Sequence, residues 1–561
     1  MIPIPIPEFK VMDSKKRLKA EKMAGISSLM DGKFVKSSDI VKVLESVIRS
    51  GETVAMEGDN QKQAADLCRA MTKVDPAKVN NLRMVMSCVQ MPEQLDIFEE
   101  GIARELNVAF IGTQSSRLPK MIDAGTVKIG AIHTYLELFS RLFTDLVPNV
   151  CLCCAEAADK DGNLYTGPNT EETPTIVEAT AFTDGIVIFQ VNEIVDKLPR
   201  VDIPSEWVDV IMKSDERSVI EPLMTRDPAK ITDLHVLQAM MTLKGVYAKH
   251  HVTRMNHGIG YVAAAIELLL PTYGEELGLK GKICRNWVAN PIPAMIPAIE
   301  CGWADNCVAF GSEVGMEDYV RARSDIFATG VDGSLRSNRC YAQMAGLYGS
   351  DMFTGTTLQV DYYGNSSTVT KSLITGFGGA PNMGCNPNGR RHTSEAWSSM
   401  ITDHSDPMAH GRKLVTQIIR TQTKNKKTGE MVDCIVPELD AVETAKKAGL
   451  SEPMVMIHGD DVTHLVTELG VAYLYMAKTK EERKELIAAV AGQTALGKTM
   501  TDERRNQLRK EGKVALAEDL GIDPATATRD RLAAQNLEDI VEWSHGLYKI
   551  PEKFKVKKED K

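Results

Sequence analysis

The sequence predicts an α/β protein with two related domains, mainly parallel sheets and a C-terminal helical extension. Apolar runs of strand length alternate with helical patterns along most of the 561 residues, as in proteins whose parallel strands are linked by helices. A single hydrophobic core rarely grows beyond about 250–300 residues, so a chain of this length is expected to contain more than one domain. A short turn motif also occurs twice, which suggests an internal repeat.

The helical and strand signals begin near the N-terminus. Residues 38–48 place apolar side chains at helical spacing behind a Ser-Asp pair that can cap a helix. From residue 478 onward the pattern changes to charged amphipathic helices, and residues 553–561 form a charged tail. Three apolar runs are typical of buried strands: Thr53-Val-Ala-Met56, Val108-Ala-Phe-Ile-Gly112 and Gly185-Ile-Val-Ile-Phe-Gln-Val191.

The repeated motif reads Asp-x-x-Gly-Asn. Asp159-Lys-Asp-Gly162-Asn163 follows an apolar strand, and Asp361-Tyr-Tyr-Gly364-Asn365 does the same later in the chain. A Gly-Asn pair after a strand is a turn signal, because glycine adopts positive φ without a steric cost. One such pair is weak evidence, but two in similar surroundings predict two related halves. We expect domains at residues 1–250 and 251–477, followed by the extension and tail at 478–561.

Composition and charge exclude several classes of function. The net charge is −10 without a basic excess, so nucleic acid is not an expected partner. The N-terminal Met1-Ile-Pro-Ile-Pro-Ile-Pro7 lacks the basic and continuous apolar regions of a secretion signal. The most apolar later stretch, residues 262–270, is too short to cross a bilayer and contains Glu267. We therefore expect a cytoplasmic protein without a membrane partner.

The 11 cysteines are expected to be reduced thiols, since their number is odd and no signal peptide is evident. Cys151-Leu-Cys-Cys154 could suggest a metal site. It lies in an apolar run, however, and no second Cys/His pair stands at zinc spacing nearby. The pattern favours a buried strand and no metal.

Two stretches carry the chemistry. Glycines at 376, 378, 379 and 384 lie in one short segment, followed by Gly389-Arg-Arg-His392. Such a segment lets backbone N–H groups approach an anion or a developing oxyanion, although a simple glycine-rich turn is an open alternative. The second stretch is Cys307-Val-Ala-Phe-Gly311, which delivers Glu313 at the end of a predicted strand. Carboxyl ends of parallel strands line active crevices, but a surface Glu is the simpler alternative.

These stretches resemble the family I coenzyme A transferases. Ser312-Glu313-Val314-Gly315, behind a Pro-rich apolar segment, is similar to that family's Ser-Glu-Asn-Gly signature, apart from valine in place of asparagine. The first half resembles the partner subunit of those enzymes. The resemblance therefore implies two coenzyme-A-transferase-like domains fused in one chain. The later elements arrive in the family's order: Leu358-Gln-Val-Asp361, Gly376-Phe-Gly-Gly-Ala380 and Val466-Thr-Glu-Leu-Gly-Val471.

Longer stretches resemble one family more specifically, the malonate decarboxylase alpha subunits. They are residues 57–64, 313–323, 332–338 and 376–392. The resemblance implies an enzyme that exchanges acetate for malonate on the thioester of an acyl carrier protein. It implies that carrier and the catalytic subunits of the decarboxylase as partners. It also implies no covalent cofactor on this chain, because the thiol belongs to a phosphoribosyl-dephospho-coenzyme A group on the carrier.

The same resemblance assigns roles to residues. In the transferases a Glu carboxylate attacks the thioester and forms an acyl anhydride, and Glu313 holds that position. Val314 departs from the signature, so a second route stays open, in which the incoming carboxylate attacks the thioester directly. Gly378 and Gly379 are the candidates for the oxyanion, and Gly376 and Gly384 for carrier binding. The candidates for malonate binding are Arg390, Arg391 and His392, with a solvated basic turn as the alternative. Asn365 is a further substrate-binding candidate, for orienting the pantetheine or the acyl group, and a simple turn residue is its alternative.

Two other functions remain as alternatives at this point. A citrate lyase alpha subunit, or another carboxylate transferase, would share these motifs. A transferase fold kept only as an assembly scaffold is the non-enzymatic alternative, although the carboxylate and the glycine segment favour an enzyme.

Overall fold

A computed structural model describes residues 7–58, 62–167, 172–215, 226–309, 311, 313–335, 350–383, 414–425 and 428–555. Its first sheet has the strand order β1-β2-β10-β9-β7-β3-β4-β5-β6, with β8 paired to β7. From β10 to β6 all neighbours are parallel. The strands are β1 (Met30–Asp31), β2 (Phe34–Val35), β3 (Thr53–Met56), β4 (Leu82–Val89), β5 (Ala103–Ile111), β6 (Lys128–Ile132), β7 (Val150–Asp159), β8 (Leu164–Tyr165), β9 (Ile186–Val195) and β10 (Val210–Lys213).

The second sheet has the order β13-β12-β11-β14-β17-β21-β22-β23, parallel as far as β21 and antiparallel beyond it. Its strands are β11 (Arg254–His257), β12 (Asn286–Val288), β13 (Asn306–Val308), β14 (Met352–Thr356), β17 (Leu414–Ile418), β21 (His464–Val466), β22 (Gly470–Tyr473) and β23 (Val514–Leu516). Smaller pairings involve β15 (Gln359–Asp361), β16 (Ser366–Ser367), β18 (Gln422–Lys424), β19 (Met431–Asp433) and β20 (Ile435–Val436).

The two sheets repeat one topology. The run β10-β9-β7-β3-β4-β5 in the first sheet matches β21-β17-β14-β11-β12-β13 in the second, strand for strand in chain order. A short antiparallel strand follows each Asp-x-x-Gly-Asn turn: β8 pairs with β7 in the first sheet, and β16 pairs with β15 in a separate three-stranded sheet. The prediction of an α/β fold with two related halves is therefore confirmed.

Helices cover the sheets. They are α1 (Pro7–Ile26), α2 (Ile40–Val47), α3 (Ala65–Met71), α4 (Glu93–Glu99), α5 (Leu118–Asp123), α6 (Tyr135–Leu142), α7 (Thr173–Ala181), α8 (Asp233–Thr242), α9 (Tyr261–Leu269), α10 (Ile296–Glu300), α11 (Glu317–Ala322), α12 (Ala380–Met383), α13 (Asp440–Lys447), α14 (Lys480–Ala489), α15 (Asp502–Lys510) and α16 (Leu537–Trp543). Two π-helical segments, Leu243–Ala248 and Leu270–Gly274, directly follow α8 and α9.

The local predictions hold where the hydrophobic pattern was clear. Helix α2 buries Ile40, Val43, Leu44 and Val47 on one face, as the helical spacing predicted. The three predicted strands correspond to β3, β5 and β9. The cysteine run lies inside β7 with all three thiols buried, so the strand interpretation is confirmed.

The C-terminal region is more closely tied to the second sheet than a helical extension implies. Helices α14 to α16 are present, but β23 pairs with β22 and extends the sheet. Helix α8, which precedes residue 250, packs on α9 of the second unit. Packing therefore crosses both predicted boundaries, at 250 and at 477, and those boundaries stay predictions. Most of the predicted charged tail, residues 556–561, lies outside the described residues.

Candidate functional site

Glu313 lies in the turn after β13, at the carboxyl end of the second sheet. The Met316 N–H donates to the Glu313 carbonyl at 3.0 Å, which closes the turn. Gly315 has φ +91°, a conformation that glycine adopts without the strain of a side chain. The Glu313 side chain is 0% exposed. A buried carboxylate is costly unless its charge is compensated, so Glu313 is not the ordinary surface residue left open from the sequence.

Arg226 supplies positive charge near this turn. Burial lowers the pKa of its guanidinium below the ordinary value, and the negative charges of Glu313 and Glu267 act in the opposite direction. The guanidinium carbon also lies 5.8 Å from the centre of the Tyr261 ring. Sequence reasoning missed Arg226, because no motif marks it and its neighbourhood forms only when distant segments fold together.

A buried chain of polar groups lies at the carboxyl end of β11. His257 Nδ1 is 2.8 Å from Glu267 Oε1, and Tyr247 Oη is 2.7 Å from His257 Nε2. Tyr247 Oη is also 2.9 Å from Thr354 Oγ1 on the neighbouring strand. Tyr247 belongs to the first π-helical segment and Glu267 to α9, just ahead of the second. Both ring nitrogens of His257 have hydrogen-bond partners, so this network of polar side chains holds the carboxyl end of β11 in place.

The glycine segment of the second domain packs on the first sheet. Ile111 N–H donates to the Thr375 carbonyl at 2.8 Å, and Gly378 N–H donates to the Ala109 carbonyl at 2.9 Å. A Cβ on Gly376 would lie 2.5 Å from the Ala109 oxygen, so only glycine permits this approach. The segment therefore joins the two domains.

This contact bears on the roles predicted for three glycines. The Gly378 N–H is occupied by Ala109, so its predicted role in stabilising an oxyanion is not supported. Gly376 lies in the contact between the domains, and its predicted role in carrier binding stays a prediction. Gly379, half-buried just ahead of α12, is the remaining described glycine for the oxyanion, and its role stays a prediction.

Asn365 lies in the second Asp-x-x-Gly-Asn turn, and its described side-chain hydrogen bonds hold this turn and a nearby loop together. Its Nδ2 donates to Asp361 Oδ2 at 2.7 Å, and its Oδ1 accepts from Gly459 N–H at 2.8 Å. Asn163 makes the matching pair of contacts, with Asp159 at 2.9 Å and Ser205 N–H at 3.0 Å. The turn-residue alternative therefore accounts for Asn365 better than substrate binding does.

The first sheet carries its own buried carboxylate, Glu57, directly after β3. Its Oε2 accepts from Cys154 N–H at 2.7 Å, and its Oε1 pairs with Lys62 at 3.1 Å. Thr173 donates to the same oxygen and also accepts from Lys62. Glu57 is 0% and Lys62 6% exposed, so this is a fully buried ion pair within a hydrogen-bonded cluster. Glu57 and Lys62, which belong to the stretch quoted from the sequence as residues 57–64, thus have a structural role.

A second contact between domains involves Arg200 of the first and Asp332 of the second. Arg200 pairs with Asp332 and donates to Ser334 Oγ at 2.6 Å. Tyr165 Oη donates to Asp332 Oδ2 at 3.0 Å. Burial, and then this bond to the Asp332 carboxylate, raise the pKa of Tyr165 to about 12. The Asp332 motif of the sequence therefore serves the interface in part.

Four predicted site residues, Gly384, Arg390, Arg391 and His392, lie outside the described residues, and their roles stay predictions. His250, at the expected domain boundary, is buried. Its Nε2 lies 3.0 Å from His464 Nε2 in a buried contact. Among the described residues, no cluster of metal-binding side chains and no helix long and apolar enough to cross a membrane is present.

Comparisons with known proteins decide the family. The family model described as "Malonate decarboxylase, alpha subunit, transporter" matches residues 11–557. The chain belongs to this family. A Malonomonas rubra protein named acetyl-S-ACP:malonate ACP transferase is 50% identical over 552 residues, which cover 97% of this chain and 99% of that protein.

Solved structures agree with this family. The chain superposes with a TM-score of 0.91 and 50% identity on a chain of a Pseudomonas malonate decarboxylase hetero-tetramer solved with malonate, covering 98% of this chain and 100% of that one. A Streptococcus mutans citrate lyase alpha subunit solved with citrate has a TM-score of 0.57 at 15% identity, covering 82% of this chain and 86% of that one. At this identity the likeness concerns the fold alone, and it agrees with the α/β fold predicted from the sequence.

Proposed function

We propose that this chain is the acyl-carrier-protein transferase of a malonate decarboxylase: acetyl-carrier plus malonate gives malonyl-carrier plus acetate. The main support is its 50% identity, along nearly its whole length, to the Malonomonas rubra transferase of that name. The Pseudomonas hetero-tetramer supports further subunits as partners in the same complex. The carrier's thiol is proposed to belong to a coenzyme-A-like group on a separate protein, and the reaction is proposed to take place in the cytoplasm.

The fully buried Glu313 is the proposed catalytic residue. In one route its carboxylate attacks the acetyl thioester, the carrier thiolate leaves, and an acetyl anhydride forms on Glu313. Malonate then attacks the Glu313 carbonyl of this anhydride and releases acetate, which leaves a malonyl anhydride on Glu313. The thiolate attacks the malonyl carbonyl, forms malonyl-carrier and frees the Glu313 carboxylate. In the other route a malonate carboxylate attacks the thioester directly, and the thiolate returns to the malonyl side of the mixed anhydride while acetate leaves.

Both routes place negative charge on the former carbonyl oxygen, which a fixed donor stabilises. Gly379 is the proposed donor among the described residues. Malonate also carries a second carboxylate that does not react. We propose that Arg390, Arg391 and His392 bind this second carboxylate, since a guanidinium binds a carboxylate through two parallel hydrogen bonds.

The test mixes the purified chain with acetylated carrier and isotopically labelled malonate, and follows the mass of the carrier. Wild type is expected to convert acetyl-carrier to malonyl-carrier without releasing carbon dioxide. Glu313→Gln keeps the size of the side chain and removes its negative charge, so exchange should fall by several orders of magnitude if Glu313 is the nucleophile. Asp318→Asn is the matched control, because Asp318 is half exposed on the following helix.

Hydroxylamine separates the two routes. An acyl anhydride on Glu313 would be trapped as a hydroxamate on the peptide that contains this residue. A loss of exchange in Glu313→Gln without any trapped adduct in wild type would identify direct attack by malonate. Full activity in Glu313→Gln would refute both routes, and exchange with citrate in preference to malonate would refute the proposed substrate.

A further inference from the structure

The backbone of the Glu313 turn is held on both sides at Gly315. Its N–H donates to Glu317 Oε2 at 2.8 Å, while its carbonyl accepts from the Lys549 N–H at 2.9 Å. A Cβ at Gly315 would lie 2.0 Å from the Lys549 carbonyl oxygen and 3.2 Å from the Tyr548 ring. The C-terminal chain is thus in direct contact with the turn, two residues from Glu313.

This part of the C-terminal chain is firmly anchored. Tyr548 is 0% exposed, and its N–H donates to Ser544 Oγ at 3.0 Å. The chain reverses after α16 through two residues with positive φ, His545 at +53° and Gly546 at +79°. These contacts hold the C-terminal segment in place behind the Glu313 turn.

The same segment is tied to α9, which carries Glu267. The Ala533 N–H donates to the Leu268 carbonyl at 3.0 Å, and the Trp543 indole donates to the Ala533 carbonyl at 2.9 Å. Residues 533–549 therefore connect the helix that bears one buried carboxylate to the turn that bears the other.

We propose that the C-terminal segment, residues 544–550, is a positioning element for Glu313. This inference rests on the proposed function of Glu313. The position of the turn backbone sets the position of Glu313, and a misplacement of about 1 Å in an active site can lower the rate about 100-fold. Tyr548 and Lys549 limit that movement by filling the space behind Gly315 and by binding its carbonyl.

Tyr548→Ala tests the proposal, because it opens the space behind the turn without changing the turn's own sequence. Tyr273→Ala is the matched control, since Tyr273 is also buried, lies in the same hydrophobic core and makes no described contact with the Glu313 turn. Both variants should lower the thermal midpoint. Only Tyr548→Ala should also lower kcat per folded molecule, by about 10-fold or more, with a smaller change in KM for malonate. Tyr548→Phe, which keeps the ring, should restore kcat.

A second variant tests the same proposal if Tyr548→Ala does not fold. Gly315→Ala places a methyl group against the Lys549 carbonyl, whereas Gly302→Ala meets nothing within 4 Å at a similar φ of +73°. Only Gly315→Ala should lower kcat. Equal kcat in Tyr548→Ala, Gly315→Ala and their controls would overturn the positioning role. If wild type exchanges and Glu313→Gln does not, that result would leave the proposed function intact; an inactive wild type would instead refute the function.

Discussion

The two sheets of this protein share a strand order but use their carboxyl ends differently. In the first sheet, β3 is followed by a buried ion pair between Glu57 and Lys62. The glycine segment of the second domain binds to the end of β5. The second sheet ends β13 in the Glu313 turn, which the C-terminal chain backs. A repeated frame therefore does not imply repeated chemistry, because the groups that follow each strand end have diverged.

The Asp-x-x-Gly-Asn turns show the opposite case, in which both halves keep the same contacts. Asn163 and Asn365 each donate to their own aspartate and accept one N–H from a distant loop. The two halves therefore share the hydrogen-bonded turn that ends a strand. What differs is the side chain that the strand end delivers.

The largest effect is expected from breaking the buried pair of the first sheet. Lys62→Ala leaves the Glu57 carboxylate buried without its lysine, which should lower the free energy of unfolding by about 3–5 kcal/mol. Lys160→Ala is the control, because the Lys160–Asp196 pair is 78% and 85% exposed and should contribute at most about 1 kcal/mol. Urea unfolding followed by circular dichroism measures both. Similar losses in the two variants would show that Glu57 is stabilised without Lys62.

An intermediate and equal effect is expected at the two repeated turns. Asn163→Ala and Asn365→Ala each remove two side-chain hydrogen bonds, so each should lower the free energy of unfolding by about 2 kcal/mol. Exchange per folded molecule should stay near that of wild type in both. Loss of exchange in Asn365→Ala alone would restore the substrate-binding role predicted from the sequence and break the equivalence of the turns.

The smallest effect concerns the contact between the domains. Because the folded-state pKa of Tyr165 is raised to about 12, from 10 for the free side chain, its proton stabilises the fold below pH 10. That stabilisation is lost as pH rises from about 10 to 12, when a phenolate would face Asp332. Tyr165→Phe cannot titrate, so its unfolding free energy should fall less steeply across this interval. Parallel pH profiles for the two proteins would contradict the assignment.

The sequence by itself determined the local elements and the family. Apolar spacing predicted α2, β3, β5, β7 and β9, because side-chain periodicity depends only on near neighbours. The Asp-x-x-Gly-Asn turns were readable for the same reason, since Asp361 and Asn365 bond within four residues. Long motifs indicated the malonate decarboxylase alpha subunits, and the family comparison confirmed this.

The tertiary structure alone decided how those elements are used. The Gly378 N–H was a good oxyanion donor by sequence, but Ala109, far away in the chain, accepts its hydrogen bond. Arg226 near Glu313, and Lys549 behind Gly315, are contacts between segments with no shared local pattern. A backbone donor is satisfied by whichever acceptor the fold brings to it, and a buried charge by whichever partner arrives. Neither can be inferred from residues that lie close together in the chain.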